Sequence, residues 1–169
     1  MKAPYVAFVC LCLCAVAFPV IPALGAAGGP TSGNQGAPPA GKPQTLAGLE
    51  MSVTAVERAS SVSLQDCPPG ANTQKGMTKP GEEFAVVTMK FKVLPAFKAG
   101  PTKRPSVKDA AGGDFYTAVS FVDVGKPPEF SCSFPFRTPT GTKLKSIQID
   151  SLTFDLTPFE AKKPSFFGF

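Results

Sequence analysis

The sequence predicts an all-β domain, a two-sheet sandwich of about seven to eight short antiparallel strands. Three observations carry that expectation. Apolar and polar residues alternate with a period of two in residues 49–58, 84–93 and 129–136. Proline, glycine and serine clusters punctuate the chain between such segments, at the spacing of all-β domains. No segment sustains the periodicity of an amphipathic helix, and no internal repeat stands out. With 15 phenylalanines, 19 prolines, 16 glycines and no tryptophan in 169 residues, the chain is turn-rich and its core rests largely on phenylalanine.

Residues 1–25 read as a signal peptide. Lys2 gives a positive start, residues 5–18 are apolar and uncharged, and Pro19 and Pro22 break the run. Ala23-Leu24-Gly25 then sets small residues where a signal peptidase reads, so cleavage is expected after Gly25 or Ala27. The competing reading is an uncleaved anchor, because the run is nearly long enough to span a bilayer. The two prolines count against it. Leu11 and Leu13, before Cys12 and Cys14, count against a lipidated cysteine. No stable membrane span is expected after cleavage. Residues 26–45 are poor in apolar side chains apart from alanine and carry one charge, Lys42, the composition of a flexible linker.

Removal of the leader takes Cys10, Cys12 and Cys14 with it and leaves Cys67 and Cys132, an even pair in an oxidising compartment. A disulfide is expected, against the alternative of two reduced thiols or a metal site. Closing a loop of that length stabilises a fold by roughly 4 kcal/mol on the chain-entropy account.

The domain is expected over residues 46–158. Leu49, Met51, Val53 and Ala55 share one face of a first strand, and Val62 and Leu64 continue it briefly. A long loop from Asp66 to Pro80-Gly81 follows, tied down by Cys67. Next comes the strand around which the chain is organised, residues 80–94. Ala85, Val87, Met89, Phe91 and Val93 lie on one face, with Phe84, Val86, Thr88, Lys90 and Lys92 on the other. That pattern suits a strand buried on both sides at its start and solvated on one side at its end. Ala111-Gly112-Gly113 makes a hairpin turn between residues 106–110 and 114–122. In residues 129–136, Cys132 shares its phase with Phe130, Phe134 and Phe136, marking it as structural. Ile147 and Ile149 lie in one phase and Leu152, Phe154 and Leu156 in the other, so a bulge or bend is expected at Asp150-Ser151. Pro158 ends the domain and residues 159–169 form a tail.

The chain contains no histidine, which removes Ser-His-Asp and Cys-His nucleophilic sites and imidazole ligation from consideration. Met51, Met77 and Met89 are scattered, as core packing requires and a methionine metal site does not. Glu82 and Glu83 are adjacent and point to opposite sides of a strand, unsuited to a shared glycosidic bond. Asp109 and Asp114 flank the glycine turn, which accounts for both; two carboxylates fall short of a calcium site. No cofactor, metal or catalytic residue is expected.

Outside the leader, 16 basic residues face 12 acidic ones, too mild an excess for nucleic-acid binding. The one local bias is Lys90, Lys92, Lys98, Lys103, Arg104 and Lys108, with no acid among them. A solvated strand end guarded against mispairing explains it; an anion-binding patch is the functional alternative. Phe166, Phe167 and Phe169 close the chain, either as a frayed end or as an apolar handle for a partner.

The early alternating strand, the long loop, Pro-Gly-Glu-Glu-Phe-Ala-Val-Val-Thr-Met-Lys-Phe-Lys-Val at residues 80–93, Val107-Lys108-Asp109 with Gly112-Gly113 and Phe115-Tyr116, and Phe134-Pro135-Phe136 through Pro139-Thr140-Gly141-Thr142 to Leu144 together carry a resemblance. Over about residues 46–158 the chain resembles the secreted bacterial immunoglobulin-like domains of mostly unknown function, whose best-known relative is a small mycobacterial secreted antigen. The resemblance implies an immunoglobulin-like sandwich outside the cytoplasm, without established catalytic residues. The Cys67 and Cys132 pair and the proline-rich loops depart from that family. The expectation is an exported, non-catalytic domain, periplasmic, cell-surface or extracellular, that binds a protein or cell-envelope component. The alternative is a small-ligand or anion module using the basic residues.

Overall fold

A computed structural model of the chain describes residues 41–160. The expected signal peptide and the terminal phenylalanines Phe166, Phe167 and Phe169 lie outside them. Ten strands and one short helix follow in order. They are β1 (Gln44–Leu46), β2 (Leu49–Ala59), β3 (Ser61–Leu64), β4 (Gln74–Met77), β5 (Glu82–Val93), β6 (Ser106–Asp109), β7 (Asp114–Tyr116), β8 (Glu129–Pro139), β9 (Leu144–Ile149), β10 (Leu152–Asp155) and α1 (Thr157–Glu160). Two four-stranded antiparallel sheets, β1-β2-β5-β8 and β10-β9-β6-β7, contribute to one shared core, and β3-β4 forms a third, two-stranded sheet. This is the two-sheet β-sandwich that the alternation predicts. The order β10-β9-β6-β7 matches G-F-C-C′ of a variable-type immunoglobulin sheet. In the other sheet β2-β5-β8 follows the order A-B-E, with β5 preceding the β6–β7 hairpin as B precedes C, and β1 adds an edge strand beyond β2.

β5 sits between β2 and β8 from Phe84 to Lys92. Ala85, Val87, Met89 and Phe91 are fully buried on its inner face, opposite Val107, Ile147, Ile149 and Phe154 of the second sheet. Its outer face changes character as the sequence implies. Phe84 is buried there because β3–β4 lies over it: a Cβ on Gly76 would come within 3.2 Å of the Phe84 ring. Arg137 covers the same ring, its guanidinium carbon 5.3 Å from the centroid. Farther along, Lys90 and Lys92 are exposed.

Several local expectations are corrected. β1 takes in Gln44 and Thr45, at the end of the expected linker, and pairs with β2 across an Ala47-Gly48 turn in which both residues have positive φ. The inner face of β2 does not run on to Ala55. A bulge at Thr54 shifts the register, and Val56 becomes the residue opposite Val87 and packed on the core. Val62 and Leu64 belong to a separate strand, and the expected loop from Asp66 to Pro80 contains its partner, β4. The strand expected over residues 114–122 stops at Tyr116 and continues as two isolated bridges, Thr117 to Phe136 and Cys67 to Phe121. The phase change at Asp150-Ser151 is a hairpin reversal, with Leu152 opposite Ile149 and Asp150 at φ 48°, rather than a bulge or bend. α1 extends past Pro158.

The two sheets are joined at both margins. At one, the bridge from Thr117 to Phe136 links the run after β7 to β8. At the other, the Gln44 amide donates to the Thr153 carbonyl, linking β1 to β10 (2.9 Å).

Candidate functional site

Cys67 and Cys132 are joined by a disulfide, with Cα atoms 5.6 Å apart and both residues buried. The bond ties the segment after β3 to β8, and Cys67 exchanges backbone hydrogen bonds with Ser120 and Val122. Both thiols are therefore committed to structure.

The candidate carboxylates Glu82, Glu83, Asp109 and Asp114 are committed in the same way. Glu83 Oε1 accepts from the Gly141 N–H (3.0 Å) and faces Arg58, while Glu82, on the opposite side, accepts from Arg137 and from the Lys79 N–H. Those two contacts, the Lys79 N–H foremost, pull the Glu82 carboxyl below its ordinary 4.5. Asp109 Oδ1 accepts from the Gly113 N–H at 2.7 Å, closing the glycine turn on itself. Asp114 pairs with Lys108 across the β6–β7 hairpin, and that hydrogen bond raises the ammonium above its ordinary value. Met51 and Met89 are buried in the core, whereas Met77 is exposed.

The six basic residues do not converge on one patch. Lys90 and Lys92 stand on the outer face of β5. There Glu129 binds Lys90 at 2.6 Å and is opposite Lys92 in register, and the Lys90 contact lowers the Glu129 pKa. Lys108 stands on the outer face of β6, its neighbour Val107 pointing into the core, and so faces away from Lys90 across the sandwich. Lys98 lies between the two strands, its N–H bound to the Ala47 carbonyl.

Lys103 and Arg104 are different. Pro101 and Pro105 are both buried and anchor the three exposed residues between them. Asp150, at the β9–β10 turn, accepts the N–H groups of Thr102 (3.1 Å) and Lys103 (3.0 Å), so the loop is held against the second sheet. Lys103 and Arg104 then overhang a concavity of about 470 Å³ whose other walls are Ser106, Tyr116, Gln148 and Asp150. Ser106 is opposite Tyr116 on one side and Gln148 on the other, so these three form one row across β7, β6 and β9. Arg104 Nε donates to Ser120 Oγ (3.1 Å), which leaves its guanidinium edge without a protein acceptor among the described residues. Tyr116 is 70% exposed. Sequence reasoning found the two cations and missed Tyr116, although a phenol on the polar phase of a hairpin, with Ser106, Lys108 and Asp114, was a usable signal. Gln148 and Asp150 carried no such signal, because they join only through the strand order.

Among the described residues, no helix is long and apolar enough to cross a membrane. The class defined by this fold is a two-sheet antiparallel β-sandwich stapled by a core disulfide. No protein-family model matches the chain, and no curated protein matches it. Among solved structures it is similar to an uncharacterized beta-sandwich protein from Clostridium difficile 630, at 9% identity and a TM-score of 0.42, over 68% of this chain and 88% of that one.

Proposed function

We propose that the chain is an exported, non-catalytic, immunoglobulin-like sandwich that binds a protein or cell-envelope component. The observation that supports this reading is the use made of its chemistry-bearing side chains. The two cysteines outside the leader form a core disulfide, and Glu82, Glu83, Asp109, Asp114 and Asp150 are spent on ion pairs and turn hydrogen bonds. A nucleophile with a base in reach does not emerge from them, and the sequence supplies no histidine. The disulfide fits an oxidising compartment, in agreement with the leader-like first 25 residues. The likeness of residues 46–158 to secreted immunoglobulin-like domains points the same way.

Three measurements test it. Edman sequencing of the protein from its own cells is expected to start at Ala26 or Gly28, and a chain starting at Met1 removes the cleavage claim. Photo-crosslinking in intact cells is expected to trap a partner. Turnover of an ester, peptide or glycoside that disappears on a single carboxylate or serine substitution overturns the non-catalytic reading.

A further inference from the structure

We propose that the concavity over the second sheet is a binding site for an acidic saccharide, with a sugar ring laid on Tyr116 and its acid group held by Lys103 and Arg104. The inference rests on the reading of the chain as a non-catalytic binding module and gives that module a ligand class.

Four features of the site lead to it. The first is rigidity. Buried Pro101 and Pro105 and the two N–H bonds to Asp150 fix the loop that carries the cations, so little ordering is left for a ligand to impose. The second is charge. The nearby carboxylates are already engaged, Asp150 by the loop amides and Asp114 by Lys108, whereas Lys103 Nζ and the Arg104 guanidinium edge have no protein acceptor among the described residues. A guanidinium edge next to an ammonium is a fork for a carboxylate or phosphate.

The third feature is the lining. Ser106 both donates and accepts, Gln148 donates to the Asp150 carbonyl (3.0 Å) and keeps its own carbonyl and a second N–H, and Tyr116 adds a phenol, which matches the mixed donors and acceptors of sugar hydroxyls. The apolar part of the lining is the Lys103 and Arg104 stems and the Tyr116 ring, with no Val, Leu, Ile, Met or Phe among the lining residues, which suits the apolar face of a sugar ring better than a branched peptide anchor. The fourth is Tyr116 itself. It is 70% exposed on a sheet face whose other outward residues in its row are Ser106, Gln148 and Thr153, and an exposed ring on a rigid strand offers contact area at little entropic cost. The cavity volume of about 470 Å³ lies within the usual range for small-ligand sites.

The test is an NMR titration of the ¹⁵N-labelled chain with tri-galacturonate, alongside maltotriose as a neutral trisaccharide and inorganic phosphate. The expected result is saturable shifts at the Ser106, Tyr116 and Gln148 amides with tri-galacturonate, and binding of maltotriose weaker by about tenfold. Lys103→Gln with Arg104→Gln is expected to remove that preference, and Tyr116→Ala to remove binding of both sugars. All three positions are at the surface, so the variants are expected to keep the wild-type spectrum elsewhere. Phosphate producing the same shifts, unaffected by Tyr116→Ala, overturns the saccharide assignment in favour of an anion site. The absence of shifts at these amides overturns the site altogether, while a partner trapped by crosslinking leaves the binding module standing. New reducing ends released from the trisaccharide would remove the non-catalytic reading instead.

Discussion

Phe91 is the side chain on which most of the aromatic packing converges. Its ring stacks on Phe130 at 5.0 Å between centroids and meets Phe121 and Phe134 edge-on at 5.9 and 6.2 Å. Phe91 is fully buried, whereas Phe130 is only partly so, although both sit in the inward phase of their strands. Phe91→Ala is therefore expected to cost about 3–5 kcal/mol in urea unfolding, and Phe130→Ala clearly less. Equal losses would show that the stack, and not burial, sets the energy. Backbone constraint is sharpest at Gly48, which has φ of +82° and would place a Cβ 2.4 Å from the Phe97 backbone. Gly81 has φ of +84° but open space around it. Gly48→Ala is expected to destabilise well beyond the roughly 1 kcal/mol that positive φ alone costs at Gly81→Ala. Urea midpoints of the two variants make the comparison, and coincident midpoints would mean that the 96–97 backbone moves aside at little cost.

At the scale of elements, the β5–β8 ladder carries charge pairs at its margins, and these give it a pH dependence. Glu82 is held below its ordinary 4.5 by the Lys79 N–H and then by Arg137, and Glu129 is lowered by Lys90. A carboxyl whose folded value is depressed contributes stability above its unfolded value and loses it as pH falls through the folded one. Glu82→Gln should thus lower the urea midpoint at neutral pH, with the gap to the wild type closing as pH drops below 4.5. A gap that persists unchanged in acid would assign the loss to packing. The long strands were legible because each buries alternate residues against the core over much of its length: β2 as far as the bulge at Thr54, β5 from Ala85 to Phe91, and β8 at Cys132, Phe134, Phe136 and Thr138. β4 was not, since Gln74, Lys75, Gly76 and Met77 bury little. Its task is to lay a side-chain-free backbone at Gly76 over Phe84, and that leaves no apolar period. The β9–β10 reversal was read as a bend because Asp150-Ser151 lacks glycine, and Asp150 itself adopts the positive φ. In the candidate site, Lys103 and Arg104 were legible as charge, whereas their separation from Lys90 and Lys108 required knowing which sheet each strand joins.

For the whole molecule, the question is what joins two sheets and a terminal helix into one cooperative unit. Besides the shared core and the disulfide, one polar cluster spans four parts of the chain. Arg58, near the end of β2, donates through Nη2 to the Thr142 carbonyl (2.7 Å) and to Glu160 in α1, and its Nε lies 3.6 Å from Glu83 of β5. Glu160 Oε1 in turn accepts the Leu144 N–H that opens β9 (3.0 Å). The cluster thereby connects the first sheet, the β8–β9 turn, the second sheet and α1. Hydrogen bonds to charged groups in such partly buried positions contribute more than surface pairs, so Arg58→Met is expected to cost about 2 kcal/mol. Glu160→Gln keeps the shape and loses the charge, and should cost less. Because the two groups share one interaction, the double variant is expected to fall short of the sum by about 1 kcal/mol in a urea cycle. Amide exchange at Leu144 supplies the second readout, rising in both single variants if Glu160 is held in place by Arg58. Additive losses with unchanged exchange at Leu144 would mean that α1 docks through Phe159 and its apolar neighbours alone, and that the cluster is an ornament of the surface rather than a joint between the sheets.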